Sequence, residues 1–261
     1  MTAALLACRA VGVRYGDRCL VRSLHIDIAA GERWALVGPN GAGKTSLLHV
    51  LAGVRPADGG TIDLAGQPLA RWSVERLAGL RALVADRWID PFPTSVLETV
   101  IAARYRLRGI PGAARTDPES EAIARQCLVA MDCAALAERD VRRLSRGERQ
   151  RVALAAGLAQ DTALLLLDEP ISHQDPRHQV QVLRQLGQRT DRTIIAALHD
   201  INAAARFATH ALLLAGDGSW QAGKSGAVLT QENLSPLFAT EIIQIEVGAH
   251  RVFVSTGGVL A

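Results

Sequence analysis

The sequence predicts an α/β fold: a largely parallel sheet covered by helices, entered through an N-terminal antiparallel β subdomain and interrupted by an inserted helical subdomain. Three observations predict it. From Gly147 onward, helical segments and apolar strands alternate, the pattern of a parallel sheet whose crossovers are helices. Before Gly38, short strand-like runs are separated by tight turns, as antiparallel pairing requires. Residues 95 to 140 are largely helical in pattern, broken by Gly109, Pro111, Gly112 and Pro118.

Taken in order, LLACRAVGVRY is followed by a turn at Gly16-Asp17, then SLHIDI, and after Ala30-Gly31 the buried run RWALV. Glycines from Gly38 to Thr45 end that strand pattern, and SLLHVLAG carries helical spacing. Gly59-Gly60 and Ala65-Gly66 bracket a strand, TIDLA, and a short helix near Val74 to Ala78 leads into the strand LRALVA. Beyond the insertion come a helix, the strand ALLLL, a helix after Pro176, the strand TIIAAL, a helix after Asp200 and the strand HALLLA. The tail reads as helices over SGAVLTQENLSPLF, then a closing hairpin of EIIQIEV and HRVFVST. No internal repeat or low-complexity segment interrupts this order.

A chain of 261 residues with 49% hydrophobic content can bury a full core, read here as one domain with a helical insertion. Its richest apolar stretches, Ala163 to Leu167 and Thr193 to Leu198, are too short to span a bilayer. The start, MTAALLACRA, has neither a preceding basic region nor a small-residue cleavage site, so no signal peptide is expected and the cytosol is the default compartment. Cys8, Cys19, Cys127 and Cys133 show no metal or redox spacing and read as small buried hydrophobes. A net charge of +3, dispersed among acidic residues, gives no argument for nucleic acid as a partner. Of 29 basic residues only Lys44 and Lys224 are lysines, which makes Lys44 a residue to explain.

The stretch GPNGAGKT comprises Gly38, Pro39, Asn40, Gly41, Ala42, Gly43, Lys44 and Thr45, with Ser46 next, and sits between an apolar strand and a helix. That context and spacing make a phosphate-binding loop. Glycines let successive backbone N–H groups turn toward phosphate oxygens, and the helix N-terminus adds partial positive charge. Lys44 then reaches the β and γ phosphates of ATP and the Thr45 hydroxyl ligates Mg²⁺. A second signal, LLLLDEP, ends a fully apolar strand in Asp168 and Glu169 at the expected carboxyl edge of the sheet, where α/β proteins bind ligands. Asp168 would hold Mg²⁺ through its water shell and Glu169 would polarise the attacking water; alone, the pair also fits a solvated acidic strand end.

The run LSRGERQRVALAAGLAQ, Leu144 to Gln160, resembles the ABC signature Leu-Ser-Gly-Gly-Gln and its helix, and essentially the whole chain is similar in motif order to ABC ATPases. The resemblance implies an ABC-type P-loop ATPase core over residues 1 to 85 and 145 to 261, with the helical subdomain at about 86 to 144. It further implies that Tyr15 stacks on adenine, that Asp175 lies in the dimer-contacting loop, and that His199 contacts the γ-phosphate. The simpler readings are a strand aromatic for Tyr15, an N-cap before Pro176 for Asp175 and a satisfied strand-end histidine for His199. His173, His178 and His199 are not spaced to put a metal-binding pair on one helix face.

Two departures from the family pattern stand out. In the signature, Ser145 and Gly147 are kept, while Arg146 replaces a glycine and Glu148 a glutamine. Ser145 and Gly147 are implied to reach the γ-phosphate held by a partner copy, with Arg146 pointing outward. After LRALVA, Asp86 stands where the family places a glutamine that touches Mg²⁺ and the attacking water. A carboxylate ligates Mg²⁺ but, ionised, donates no hydrogen bond. Asp86 is therefore a further metal candidate.

The implied assembly is a head-to-tail dimer of two copies sandwiching two MgATP, which drives a polytopic membrane permease and is served indirectly by a periplasmic or surface binding protein. The location implied is the cytoplasmic face of the cell membrane, peripherally. The segments DPFPTSVLETV, LTQENLSPLF and HRVFVST are similar to ATPase subunits importing metal chelates, cobalamin importers first, then ferric siderophore and haem importers. Soluble ABC proteins of DNA repair or translation carry long coiled coils, zinc cysteines or a second cassette, features not seen in this sequence, and the fused spans common in exporters are likewise not seen.

Overall fold

The computed structural model describes residues 4–86, 92–104, 118–248 and 250–259. The sequence features at Asp90, Pro91, Gly109, Pro111 and Gly112 lie outside them. The chain divides into two compact units, Met1–Trp72 with Thr193–Ala261, and Ser73–Arg192.

In the first unit, β1 (Ala4–Tyr15) and β2 (Arg18–Ala29) form an antiparallel hairpin closed by Gly16-Asp17, with Tyr15 paired to Arg18. The sequence reading confined the second strand to SLHIDI. It extends over twelve residues because positive-φ positions at Ala10 and Ser23 accompany shifts of register that keep both strands paired along their length. Next come β3 (Arg33–Val37), α1 (Lys44–Leu51), β4 (Gly59–Leu64) and β5 (Gln67–Pro68). The antiparallel sheet has the order β2-β1-β4-β5.

The second unit contains α2 (Val74–Leu80), β6 (Arg81–Val84), α3 (Val96–Ala102), α4 (Pro118–Ala130), α5 (Arg146–Ala159), β7 (Leu164–Asp168) and α6 (Pro176–Gly187). β6 and β7 pair in parallel, with Val84 beside Leu167. Every residue of β7 is buried, the reason it reads as an unbroken apolar run. α5 packs on α3, α4 and β6. Its C-terminal carbonyls are held by two cations: buried Arg104 donates from Nη1 to Ala159 O at 2.7 Å, and Arg192 Nη1 to Leu158 O at 3.1 Å. This fixes the far end of the helix whose start carries the signature residues.

The chain then returns to the first unit with β8 (Thr193–Ala197), α7 (Ile201–Phe207), β9 (His210–Leu214), β10 (Trp220–Lys224), α8 (Ser225–Val228), α9 (Gln231–Phe238), β11 (Thr240–Val247) and β12 (His250–Val259). Within it the strand order is β10-β9-β3-β8, with β3 parallel to both β8 and β9. β10, absent from the sequence reading, pairs antiparallel to β9. β11 and β12 form the predicted hairpin.

Cys8, Cys127 and Cys133 are buried as expected, and burial pushes their thiols up, Cys8 to about 12 and Cys133 to about 11. Cys19 is the exception: it lies in β2 near the hairpin turn and is only half-buried. No helix among the described residues is long and apolar enough to cross a membrane.

Candidate functional site

The structure places the glycine loop and His199 at the carboxyl ends of parallel strands in one unit, and Asp168, Glu169 and Asp86 at the carboxyl ends of parallel strands in the other. In the first unit, β3 delivers the glycine loop and β8 delivers His199. The register pairs Leu36 with Ala197, and Leu198 N donates to Leu36 O at 3.0 Å, so Gly38 and His199 each lie two residues beyond a paired position. His199 is exposed at that edge.

The loop itself is shaped by backbone conformations that only glycine adopts without strain. Gly43 has φ 101° as the residue capping α1, and a Cβ there would stand 2.9 Å from Leu20 Cβ. Lys44, the first residue of α1, is 6% exposed, and its ammonium donates to the loop carbonyls of Gly38 at 2.7 Å and Pro39 at 3.1 Å. The cation thus lies against the loop that an anion would enter, its burial compensated by carbonyl oxygens. Thr45 is exposed and Ser46 half-buried in the first turn. Tyr15 ends β1 and is 71% exposed, leaving its ring open to stack.

In the second unit, Asp168 closes β7 and is 4% exposed. Glu169 follows with φ 51°, the left-handed region that a non-glycine residue adopts at a cost of about 1–3 kcal/mol. Its carbonyl is held by Ser172 N at 3.2 Å, Ser172 Oγ at 3.0 Å and Gln150 Nε2 at 3.5 Å.

Asp86 lies just beyond β6 as Glu169 lies just beyond β7. Its Oδ1 accepts from Ser172 Oγ at 3.2 Å, and its Oδ2 stands 3.6 Å from Arg146 Nη2. Arg146 is half exposed and its guanidinium faces Asp86. The two departures from the family pattern are partners.

Ser145 caps α5. Its Oγ accepts from Glu148 N at 3.3 Å, while Ser145 N donates to Glu148 Oε2 at 2.8 Å, a reciprocal capping box. Hydrogen bonds from Ser145 hold the Glu148 carboxyl below the usual glutamate range. A glutamate thus serves this helix start, and the Ser-x-x-Glu spacing was the signal in the sequence. Gly147 is required sterically, because a Cβ there would stand 2.9 Å from His173 O.

Asp175 caps α6, accepting from His178 N at 3.0 Å and meeting His178 Nδ1 at 2.7 Å, and that backbone hydrogen bond lowers its carboxyl. The simpler reading of Asp175 as an N-cap before Pro176 therefore holds. His178 also reaches Asp132 at 3.3 Å. Ser172 and Gln150 were missed from sequence, because Ser172 meets Asp86 and Gln150 meets Glu169 through fold contacts that local pattern does not encode.

The ABC transporter family model matches residues 21–172. The hemin import ATP-binding protein HmuV of Thermobifida fusca is 36% identical over 240 residues, covering 91% of this chain and 83% of that protein. The iron(3+)-hydroxamate import ATP-binding protein FhuC of Bacillus subtilis is 34% identical, covering 89% of this chain and 87% of its own. Among solved structures, an inward-facing ABC transporter described as metal-chelate type superposes with TM-score 0.81 at 28% identity, covering 97% of both chains. A dimeric bacterial ABC transporter cassette shares the fold, with TM-score 0.73 at 22% identity.

Proposed function

This chain belongs to the ABC transporter ATP-binding family, whose members are ATPases that drive transport, and on that basis we propose that it powers the import of an iron chelate, haem or a ferric hydroxamate siderophore. The observation that carries the proposal is likeness, across nearly the whole chain, to ATP-binding proteins named for hemin and iron(3+)-hydroxamate import. That likeness favours an iron chelate over the cobalamin expected from the flanking segments.

In this reading residues 1–85 and 145–261 form the ATP-binding core and about 86–144 the helical subdomain. Tyr15 stacks on adenine. Within the loop Gly38 to Ser46, backbone N–H groups other than that of Pro39, which has none, and the Lys44 ammonium bind the phosphates, exchanging the carbonyl contacts of Lys44 for phosphate oxygens. Glu169 orients and polarises the attacking water, and His199 contacts the γ-phosphate. Ser145 and Gly147 serve the nucleotide of a second copy, head to tail.

The Thr45 hydroxyl and the Asp168 carboxylate are hard oxygen donors, the chemistry Mg²⁺ prefers. Mg²⁺ usually retains waters and takes substrate phosphates as further ligands, so two protein oxygens suffice for it. Bound there, Mg²⁺ would neutralise charge developing on the phosphoryl oxygens. ATP binding favours the closed dimer and hydrolysis reopens it, a cycle passed to a polytopic permease at the cytoplasmic face of the membrane, with a periplasmic or surface binding protein delivering the chelate.

Uptake into liposomes containing the chain and its permease, with ATP enclosed, tests the substrate. Haem or ferric hydroxamate should accumulate. Uptake of cobalamin alone, or of a sugar or amino acid, would overturn the iron-chelate assignment.

A further inference from the structure

Resting on the reading of Glu169 above, we propose that Arg146 and Asp86 form a positioning pair that ties the start of the signature helix to the Glu169 turn. Three elements meet at the Asp86 carboxylate. Asp86 itself extends β6; Arg146, the first residue of α5, faces Oδ2 at 3.6 Å; and Ser172, in the segment after Glu169, donates to Oδ1 at 3.2 Å. Ser172 carries the connection onward, because its N–H and its hydroxyl both lie within reach of Glu169 O. One hydroxyl proton serves one acceptor well. With the N–H already on Glu169 O, the hydroxyl is available to commit to Asp86.

Glu169 needs such support. Its left-handed backbone relaxes unless the surroundings over-determine it. α5 supports it twice: Gln150, one turn beyond Arg146, reaches Glu169 O directly, and Arg146 acts through Asp86 and Ser172. The start of the signature helix is thereby tied to the backbone that carries the Glu169 carboxylate.

The charges also fit their places. A cation at the first position of a helix opposes the helix dipole, and Asp86 offsets that cost. An uncharged residue at 86 would leave Arg146 without this partner, and a glycine at 146 would leave Asp86 as a third carboxylate near Asp168 and Glu169. Each departure from the family pattern is thus explained by the other.

Asp86 is 25% exposed and Arg146 54% by side chain, so the pair is partly screened and its effect is modest. Steady-state MgATP hydrolysis by the purified full-length chain tests the role in Asp86→Asn, Arg146→Gln, the double variant and Arg146→Lys. Each of the first two should lose about fivefold in kcat, which corresponds to about 1 kcal/mol. KM for ATP and half-saturation by Mg²⁺ should stay within about twofold, because the pair commits Asp86 to Arg146 and Ser172 and so leaves unmade the Mg²⁺ contact that the sequence offered for it. The double variant should be no slower than either single one, and Arg146→Lys should retain most of the rate.

Losses that multiply in the double variant, parental rates in both single variants, or a raised Mg²⁺ requirement in Asp86→Asn alone would overturn the pair. Glu169→Gln, measured alongside, separates the two ways of failing. A parental rate in that variant overturns the reading of Glu169 and the pair with it; an inactive Glu169→Gln with multiplying losses overturns the pair alone.

Discussion

Gly147→Ala is the substitution whose consequence the geometry specifies most closely. An added Cβ would stand 2.9 Å from His173 O, whereas ordinary contact begins at 3.4 Å, so about half an ångström must be found. The obstacle is a backbone carbonyl on a residue already at φ 59°, next to Gln174, whose side chain is tied to Pro170 O at 3.0 Å. That segment is poorly able to yield. Overpacking of this kind costs about 1–3 kcal/mol. Alanine returns about 0.5–1 kcal/mol by restricting the unfolded chain and favouring helix. On central values the steric term wins, for a net loss of about 1 kcal/mol and a fall in Tm of about 2–4 °C at this chain length. Gly79→Ala is the matched control: it lies in α2 with nothing within 4 Å of the added atom, and should be neutral or slightly stabilising. Calorimetry and ATPase rates on both variants check this. Because Gly147 is itself assigned to the nucleotide of a second copy, hydrolysis in Gly147→Ala should fall as well. A Gly147→Ala protein as stable as Gly79→Ala and fully active would refute the steric reasoning.

Lys44→Ala should weaken MgATP at least tenfold by calorimetry, about 1.4 kcal/mol, since it removes the cation now held against the loop carbonyls. Glu148→Ala should cost about 1 kcal/mol at neutral pH by loss of the capping box. The folded-state pKa of Glu148 is depressed, so this contribution is complete above the unfolded glutamate value of about 4.3 and is lost as pH falls through the depressed folded value. Denaturation of both proteins across pH 3 to 7, about the range that spans this titration, should show the difference shrinking only at the acid end.

Much of this architecture was legible because it is written locally. The glycine loop announces itself by spacing, β7 by a run of four leucines before Asp168, and the parallel strands by their alternation with helices. β10 was not legible: WQAGK is a half-exposed edge strand ending in Gly-Lys, with neither apolar alternation nor β-branched residues, and it exists because β9 offers it a paired edge. Chain separation hid the rest. Ser172 meets Asp86 across 86 positions, and Arg146 meets it across 60 of sequence numbering, so two substitutions that read as separate anomalies became one feature only in the fold. Tyr15 and Asp175 illustrate the opposite limit, since a strand-end aromatic and an N-cap are what the chain alone already explains.

The central claim is that two copies close on MgATP and that Glu169 directs the water that reopens them. Glu169→Gln should bind ATP but not turn it over, so size-exclusion chromatography with light scattering in MgATP should show a stable species of twice the 27.8 kDa chain mass, reverting to monomer when nucleotide is removed. A variant that stays monomeric at saturating MgATP while hydrolysing it at the parental rate would contradict the account.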